Sequence, residues 1–320
     1  MIGKAHKKLK FEETIPTKHP ENKNKLALVD ADTIAYAVCS VCESGDDEAG
    51  YLIDLDYALQ TAKDKITGML SDTGCGSAEL HFTIGKNFRY IITDTYKANR
   101  TEQRTPEGLR DLKELLVSEY PGSLIHTDIE ADDHVVWAKK YNPDKYILCA
   151  VDKDVYNSVR GTHWNYFARA KGKNKWGTEL PEIKPSWHTT TTEESLVWFY
   201  MQVLMGDAGD GIKGIKGCGP LGAIKVLVPE LEKRVTELRK EYKAKNGKAV
   251  DGNKLWEVII SGNKLLQNIN CCHIELWNAV VAKYESAGMT KQDAIMTARL
   301  VSMHQINKEG DLELWTEPIQ

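Results

Sequence analysis

Between residues 26 and 154, apolar runs of strand length alternate with segments of helical period, and this alternation constrains the fold more than any other feature. "LALVD" at 26–30 reads as a short buried strand, followed by the helical "ADTIAYAVCSV". "YALQTAKDKITGMLSDT" has helical period, while "AELHFTIG", "SLIHT" and "KYILCAVDKD" read as further strands. "PEGLRDLKELLVSEY" is a helix opened by Pro106, a residue suited to an early helical position. Residues 86–105 are polar and irregular, with no clear packing face. Strands separated by helices predict an α/β fold with a mostly parallel central sheet flanked by helices. "THWNYFARA" and the segment around Trp176 and Trp187 fit short edge strands. After residue 191 the pattern turns helical: "TTEESLVWFYMQVLMGD" is a capped apolar helix, and a Gly-rich turn region and amphipathic helices follow to about residue 305. The expected division is a polar, Lys-rich tail over 1–25, an α/β core over 26–190 and a helical region over 191–320.

Several classes are excluded at this level. No run approaches the roughly 18 apolar residues of a membrane helix, and the first 25 residues lack an apolar signal core, so an intracellular protein is expected. Seven cysteines, an odd number, sit mostly in apolar strings such as "ILCAV" and "NINCCHIELW" and read as reduced core residues. "CSVC" at 39–42 has zinc-knuckle spacing, but no second ligand pair follows and the stretch falls on a helix.

The acids carry the chemistry. "HTDIEADDHVVWAKK" packs Glu130, Asp132 and Asp133 into four positions and runs directly into an apolar helix. Helix N-termini attract acids, and Asp128 is a candidate cap. Capping needs one or two, however, and two carboxylates about 4 Å apart repel by roughly 4 kcal/mol at an effective dielectric of 20. Asp30 ends the first strand, and Asp152 and Asp154 end "ILCAVDKD", with Lys153 turned to the opposite side by strand alternation. Asp207 and Asp210 close the helix at "MGDAGDG". In open parallel sheets ligands bind at the carboxyl ends of strands. Oxygen-rich groups converging there suit hard cations, magnesium or manganese above all.

Five ordered signatures now stand together: "LVDADTIAYA", "YKANR", "IEADD", "VDKDVYNSV" and "GDAGDGIKGIKGCGPLGAIKVL". In these the chain resembles the flap endonuclease and 5′→3′ exonuclease superfamily, particularly its short phage members. The resemblance runs from about residue 26 to 228, and more weakly through "AGMTKQDAIMTARL". It implies two Mg2+ ions, replaceable by Mn2+, held by Asp30, Glu130, Asp132, Asp133, Asp152, Asp154, Asp207 and Asp210 as ligands and supporting carboxylates. Asp32 matches no family ligand and reads as a helix-start acid. Setting those eight acids aside turns the net charge from −4 to +4, which removes the objection that an acidic chain should not bind nucleic acid.

By the same resemblance, Lys97 and Arg100 belong to a mobile helical gateway and grip the scissile phosphate. Tyr96 would stack on a base or simply anchor the segment. Tyr36 occupies the place of a tyrosine that stacks beside the cut in some relatives, or belongs to the core. "GIKGIKGCGPLGAIKVL" resembles a helix–hairpin–helix in the longer form this family uses on duplex DNA, with K+ as a further ion there. Glycines 211, 214, 217, 219 and 222 permit tight turns and close phosphate approach, Pro220 opens the helix, and Lys213, Lys216 and Lys225 add sequence-independent phosphate contacts. A nucleotide P-loop is excluded because no GK[ST] follows.

The implied activity is structure-selective 5′ cleavage of duplex DNA with 5′ ends, nicks or flaps, or of RNA–DNA hybrids with RNase H-like primer removal. It is implied for a monomer without membrane contact, in the cytoplasm of a bacterial host if the chain is phage-encoded. One departure is Ile84, which stands where relatives carry a further metal-binding Asp, with Asp94 as the alternative in a shortened loop. Two rivals remain: a non-catalytic DNA-binding scaffold of the same fold, and a PIN-type ribonuclease, which lacks the "GDAGDG…GCGPLGA" region.

Overall fold

The computed structural model describes residues 18–100, 104–174, 177–267 and 269–319. Most of the predicted tail, residues 1–17, and Trp176 lie outside the described residues. In chain order the elements are β1 (Leu26–Asp30), α1 (Asp32–Cys42), β2 (Glu43–Asp46), β3 (Gly50–Ile53), α2 (Leu55–Thr73), β4 (Ser77–Thr83), α3 (Arg89–Ile92), α4 (Leu109–Glu119), β5 (Leu124–His126) and α5 (Ala131–Tyr141). β6 (Tyr146–Cys149), α6 (Lys153–Asn157), β7 (Gly161–Asn165), β8 (Gly172–Lys173), β9 (Glu179–Leu180) and β10 (Ser186–Thr190) follow. The remainder is α7 (Thr192–Met205), β11 (Gly206–Asp207), β12 (Ile212–Lys213), α8 (Pro220–Leu227), α9 (Glu232–Asn246), α10 (His273–Ser286) and α11 (Lys291–Val301), with short 3-10 and π turns between.

Six strands form the central sheet in the order β10-β7-β6-β1-β4-β5. Neighbours are parallel except at the β10–β7 edge, which is antiparallel. The period of two along β1 divides its side chains: Ala27 and Val29 pack under α1, α2 and α4, while Leu28 packs under α5 with Val135, Val136 and Leu148. Fully burying an aliphatic side chain of this size contributes about 1.5–3 kcal/mol, so both faces are needed to hold the central strand. The resulting architecture is α/β with a mostly parallel sheet flanked by helices.

The helical region has its own core. α7 starts in a capping box between Thr191 and Glu194 and buries residues all round, among them Val197, Trp198, Tyr200, Met201 and Leu204. A helix apolar on every side must be surrounded, and α8, α10 and α11 pack around it.

Several expectations need correction. The helix assigned to Pro106 begins at Leu109 with Gly108 as its cap, because Gly108 at φ 66° terminates the preceding loop. The β2–β3 hairpin escaped the periodicity reading, having only four residues per strand. Residues 86–105 do have a packing face: Asn87, Phe88, Arg89 and Tyr96 are buried. Cys39 and Cys42 lie on α1, and all seven cysteines are free thiols. Among the described residues, no helix is long and apolar enough to cross a membrane.

Candidate active site

The parallel sheet brings its carboxyl edge to one place. Asp30 is the last residue of β1, Glu130 is the N-cap of α5 just beyond β5, and Asp152 is the N-cap of α6 just beyond β6. Asp152 Oδ1 accepts from Asp154 N at 2.8 Å, so this pair sits on a helix start and not on a strand. β6 stops at Cys149, and Lys153 is therefore not turned away by strand alternation: its Nζ lies 3.2 Å from Asp154 Oδ1.

The acid-rich start of α5 has two jobs. Glu130, not Asp128, caps the helix, in a reciprocal box whose other half is Asp133 Oδ2 accepting from Glu130 N at 3.1 Å. Asp133 is fully buried and clasped by Arg89, which donates Nη1 to Oδ2 and Nη2 to Oδ1, each at 2.7 Å. Arg89 also donates to Glu130 Oε2 at 3.2 Å and to the carbonyls of Leu300 and Ser302 at 2.8 Å. All five guanidinium protons are thereby used. Asp133, expected among the ligands and supporting carboxylates, is held by Arg89 and does not line the cleft, which fits the supporting role. Arg89 itself was missed, since a single arginine in a polar stretch looks like any solvated one.

The remaining acids line a narrow cleft with a cavity volume of about 40 Å³, with Glu130, Asp132, Asp152, Asp154, Asp207 and Asp210 on its wall beside Arg89 and Tyr96. Asp30 lies buried next to them. Burial, with Asp32 and Asp152 adding repulsion, pushes its carboxyl up to about 8. Burial also raises Asp132 well above the carboxylate range, reinforced by Asp30, Glu130 and Asp152. Asp154 rises to about 7, through burial and then the charge of Asp152. Glu130 is different: burial pushes it up, but Arg89 and Lys97 outweigh that and hold it low. Two neighbourhoods emerge, one of Asp30, Glu130, Asp132 and Asp152, the other of Asp152, Asp154 and Asp207. Asp30 Oδ1 is buried without a hydrogen-bond partner. An orphaned buried oxygen among all-oxygen donors fits a hard divalent cation.

The predicted basic partners occupy distinct positions. Lys97 adopts φ 51°, in the left-handed region, and its Nζ pairs with Glu130 and lies 3.7 Å from Asp210 Oδ2. The Tyr96 hydroxyl donates to Glu130 Oε2 at 2.6 Å, with Asp210 Oδ2 at 3.2 Å. Tyr96 is only 1% exposed, which makes it the anchor of this segment and not a stacking platform. Arg100 falls in a 3-10 turn, and its side chain lies outside the described residues. Tyr36 is exposed on α1 and free of the core. Ile84 follows the end of β4, where its N–H donates to His126 O at 2.9 Å, while Asp94 is exposed and absent from the cleft wall. Asp32 opens α1, accepts from Thr83 N at 3.0 Å and pairs with Lys113 at 2.6 Å.

In the Gly-rich segment, Gly219 caps α8 and Pro220 takes its first position. Lys213 and Lys216 are exposed, while Lys225 pairs with Glu232 at 2.5 Å. Gly214 serves the chain and not a phosphate: a Cβ there would stand 2.1 Å from the Met205 carbonyl carbon and 2.2 Å from Gly206 N. Gly211, at φ +73°, likewise passes against the carbonyl of Thr95, where a Cβ would meet the oxygen at 2.5 Å. Gly217, at φ +78°, faces open space, and a Cβ on Gly222 would only touch Cys218 Sγ at 3.5 Å. Of the contacts predicted in this segment, Lys213, Lys216, Gly217, Gly219 and Lys225 are exposed, Lys225 within its pair with Glu232.

Comparison with known proteins now adds to this geometry. The chain is 25% identical over 252 residues to the exonuclease of Escherichia phage T7, covering 74% of this chain and 72% of that one. It is 24% identical over 253 residues to the exodeoxyribonuclease of Enterobacteria phage T3, with the same coverage. No family model matches the chain. Among solved structures, the bacteriophage T5 flap endonuclease in a pseudo-enzyme–product complex with DNA and metal ions aligns at a TM-score of 0.46 and 15% identity, covering 86% of this chain and 99% of that one. The catalytic core of Rad2 in complex with DNA substrate aligns at 0.41 and 14% identity, covering 90% of this chain and 95% of that one. In this chain a mostly parallel sheet carries acids at its carboxyl edge and is followed by a helical region entered through a Gly-rich hairpin. The similarity in sequence to these phage exonucleases supports reading the chain as a nuclease.

Proposed function

We propose that this chain is a magnesium-dependent 5′ nuclease that hydrolyses phosphodiesters of duplex DNA or RNA–DNA near a 5′ end. The observation that carries the reading is the carboxylate cleft, where burial and the charge of neighbouring carboxylates drive Asp30 and Asp154 to keep protons near neutral pH. The phage exonucleases that align with 74% of this chain at 24–25% identity support the same reaction class. Seven acids would hold metal: Asp30, Glu130, Asp132 and Asp152 toward one position, and Asp154, Asp207 and Asp210 toward a second. Among the described residues, no three of these carboxylates bring ligating oxygens within 4.8 Å of one another. That open spacing suits magnesium, which keeps several of its waters. Bound divalent ions supply charge neutralisation and Lewis acidity for the attacking water and the leaving 3′-oxygen.

The chain's own groups do the rest. Arg89 and Tyr96 fix Glu130 by two hydrogen bonds and so set one wall of the cleft. Lys97, now held by Glu130 and Asp210, would turn to the scissile phosphate if those carboxylates held metal. Lys213 and Lys216 grip duplex phosphates beside the N–H groups of the α8 start. Digestion of 5′-flap, nicked and blunt duplexes with magnesium, against an EDTA control, tests the assignment. Release of 5′ products only with the ion is expected; tight binding without cutting would overturn it in favour of a scaffold.

A further inference from the structure

Away from the carboxylate cleft, three histidines meet between the sheet and α5. His81 lies on β4, His126 ends β5, and His134 lies on α5 one turn beyond its acidic start. Each brings a ring nitrogen within 4.8 Å of those of the other two. His81 Nδ1 and His126 Nε2 are 3.1 Å apart, close to the roughly 3.3 Å that separates two ligand atoms of a tetrahedral zinc with bonds of 2.0–2.1 Å. The ring centroids of His134 lie 4.4 Å from His81 and 4.5 Å from His126.

We propose that His81, His126 and His134 form a binding site for a borderline transition ion of the zinc class, separate from the carboxylate site. Two observations favour this over a simple stack of imidazoles. His81 is 1% exposed, and its Nε2 is buried with no hydrogen-bond partner. If its Nδ1–H donates to His126, a buried lone pair is left bare; if the tautomer is reversed, a buried N–H is left bare. A stack cannot resolve that, whereas ligation gives one His81 nitrogen an ion as partner and fixes the proton on the other. The second observation is access: His126 and His134 are half-buried, so an ion can enter and keep a water as its fourth ligand. Imidazole donors select zinc, copper or nickel over magnesium, so the two sites would sort different ions. The ion would join β4, β5 and α5, the helix whose first turn carries Glu130, Asp132 and Asp133. Its role is therefore to position the acidic helix start, and not to touch substrate.

The test loads metal-stripped full-length protein with zinc in excess magnesium, and with cobalt for its visible spectrum. One zinc per chain should be retained by the wild type and by Asp152→Asn, and cobalt should give the strong absorption of a four-coordinate nitrogen site in both. His134→Gln and His126→Gln should each lose that equivalent and that spectrum while keeping wild-type circular dichroism. Retention of both signals in either folded variant, or displacement of the zinc by magnesium alone, would overturn the site. Should one variant not fold, the other decides. A failed result leaves the nuclease reading untouched, since none of these histidines lines the carboxylate cleft.

Discussion

Asp133 and Arg89 are the most completely buried ion pair at the site, with side chains 0% and 4% exposed. Removing one partner of such a pair strands the other without water, at a cost of about 3–5 kcal/mol. Arg89→Met should lose about that much stability in denaturant unfolding, and a loss under 1 kcal/mol would mean the pair is not structural. Asp152 is the contrasting case: it is exposed and stands in a field of like charge. Asp152→Asn should abolish magnesium-dependent cleavage yet leave or raise the metal-free melting temperature. An unfolded or fully active protein would count against its role. The two residues also show what the sequence reveals at this scale. Acids repeated at element ends announce a site, because repulsion needs a reason. Whether Asp133 meets metal or arginine depends on a partner 44 positions away, and nothing local announces that.

At the level of elements, the strands and helices of the sheet were legible because period two and period 3.6 survive without their neighbours. The segment between β4 and α4 was not. Its buried groups are polar or aromatic, Asn87, Arg89 and Tyr96, and they pack by hydrogen bonds that leave no apolar stripe. The Gly-rich hairpin was legible as a turn region, but glycines for phosphate and glycines for chain crossing look alike in sequence. Substitution separates them. Gly214→Ala forces its Cβ into backbone 2.1 Å away and should cost roughly 1–3 kcal/mol or more, as overpacking does. Gly217→Ala meets only open space and should cost no more than the roughly 1–2 kcal/mol of a left-handed residue. Thermal melts of the two variants check the order. Lysines divide similarly: Lys97→Ala should lower the single-turnover rate more than duplex affinity. Lys216→Ala should weaken binding and flatten its salt dependence by about one phosphate contact. Equal losses of affinity alone in both would refute the division.

Across the whole molecule, the acid cleft opposes folding until cations arrive, and pH exposes that opposition. A carboxyl whose folded value lies above its unfolded one binds more protons in the folded state, so stability falls as pH rises through the interval between the two. Asp30 and Asp154, at about 8 and about 7 against 3.8 unfolded, both act in that direction. Below about 7.5 the effect is mixed, because burial depresses His81, His134, His163 and His304 beneath the unfolded value of 6.5, and each of these costs stability as pH falls through the range where the unfolded imidazole takes up its proton. Above about 8 it is mixed again, since Lys139, lowered to about 8 by burial, then favours the folded state as pH rises. The clean window is therefore about pH 7.5 to 8. Metal-stripped protein should melt at progressively lower temperature across that window, and the stabilisation gained from saturating magnesium should grow in step. Magnesium binding should also release protons, more at pH 6.5 than at pH 8, which calorimetry in buffers of different ionisation enthalpy can count. Asp30→Asn removes the largest contributor and should flatten the metal-free pH dependence. A metal-free melting temperature that holds constant or rises from about pH 7.5 to 8, or the same slope in Asp30→Asn, would show that the cleft carries no such opposition.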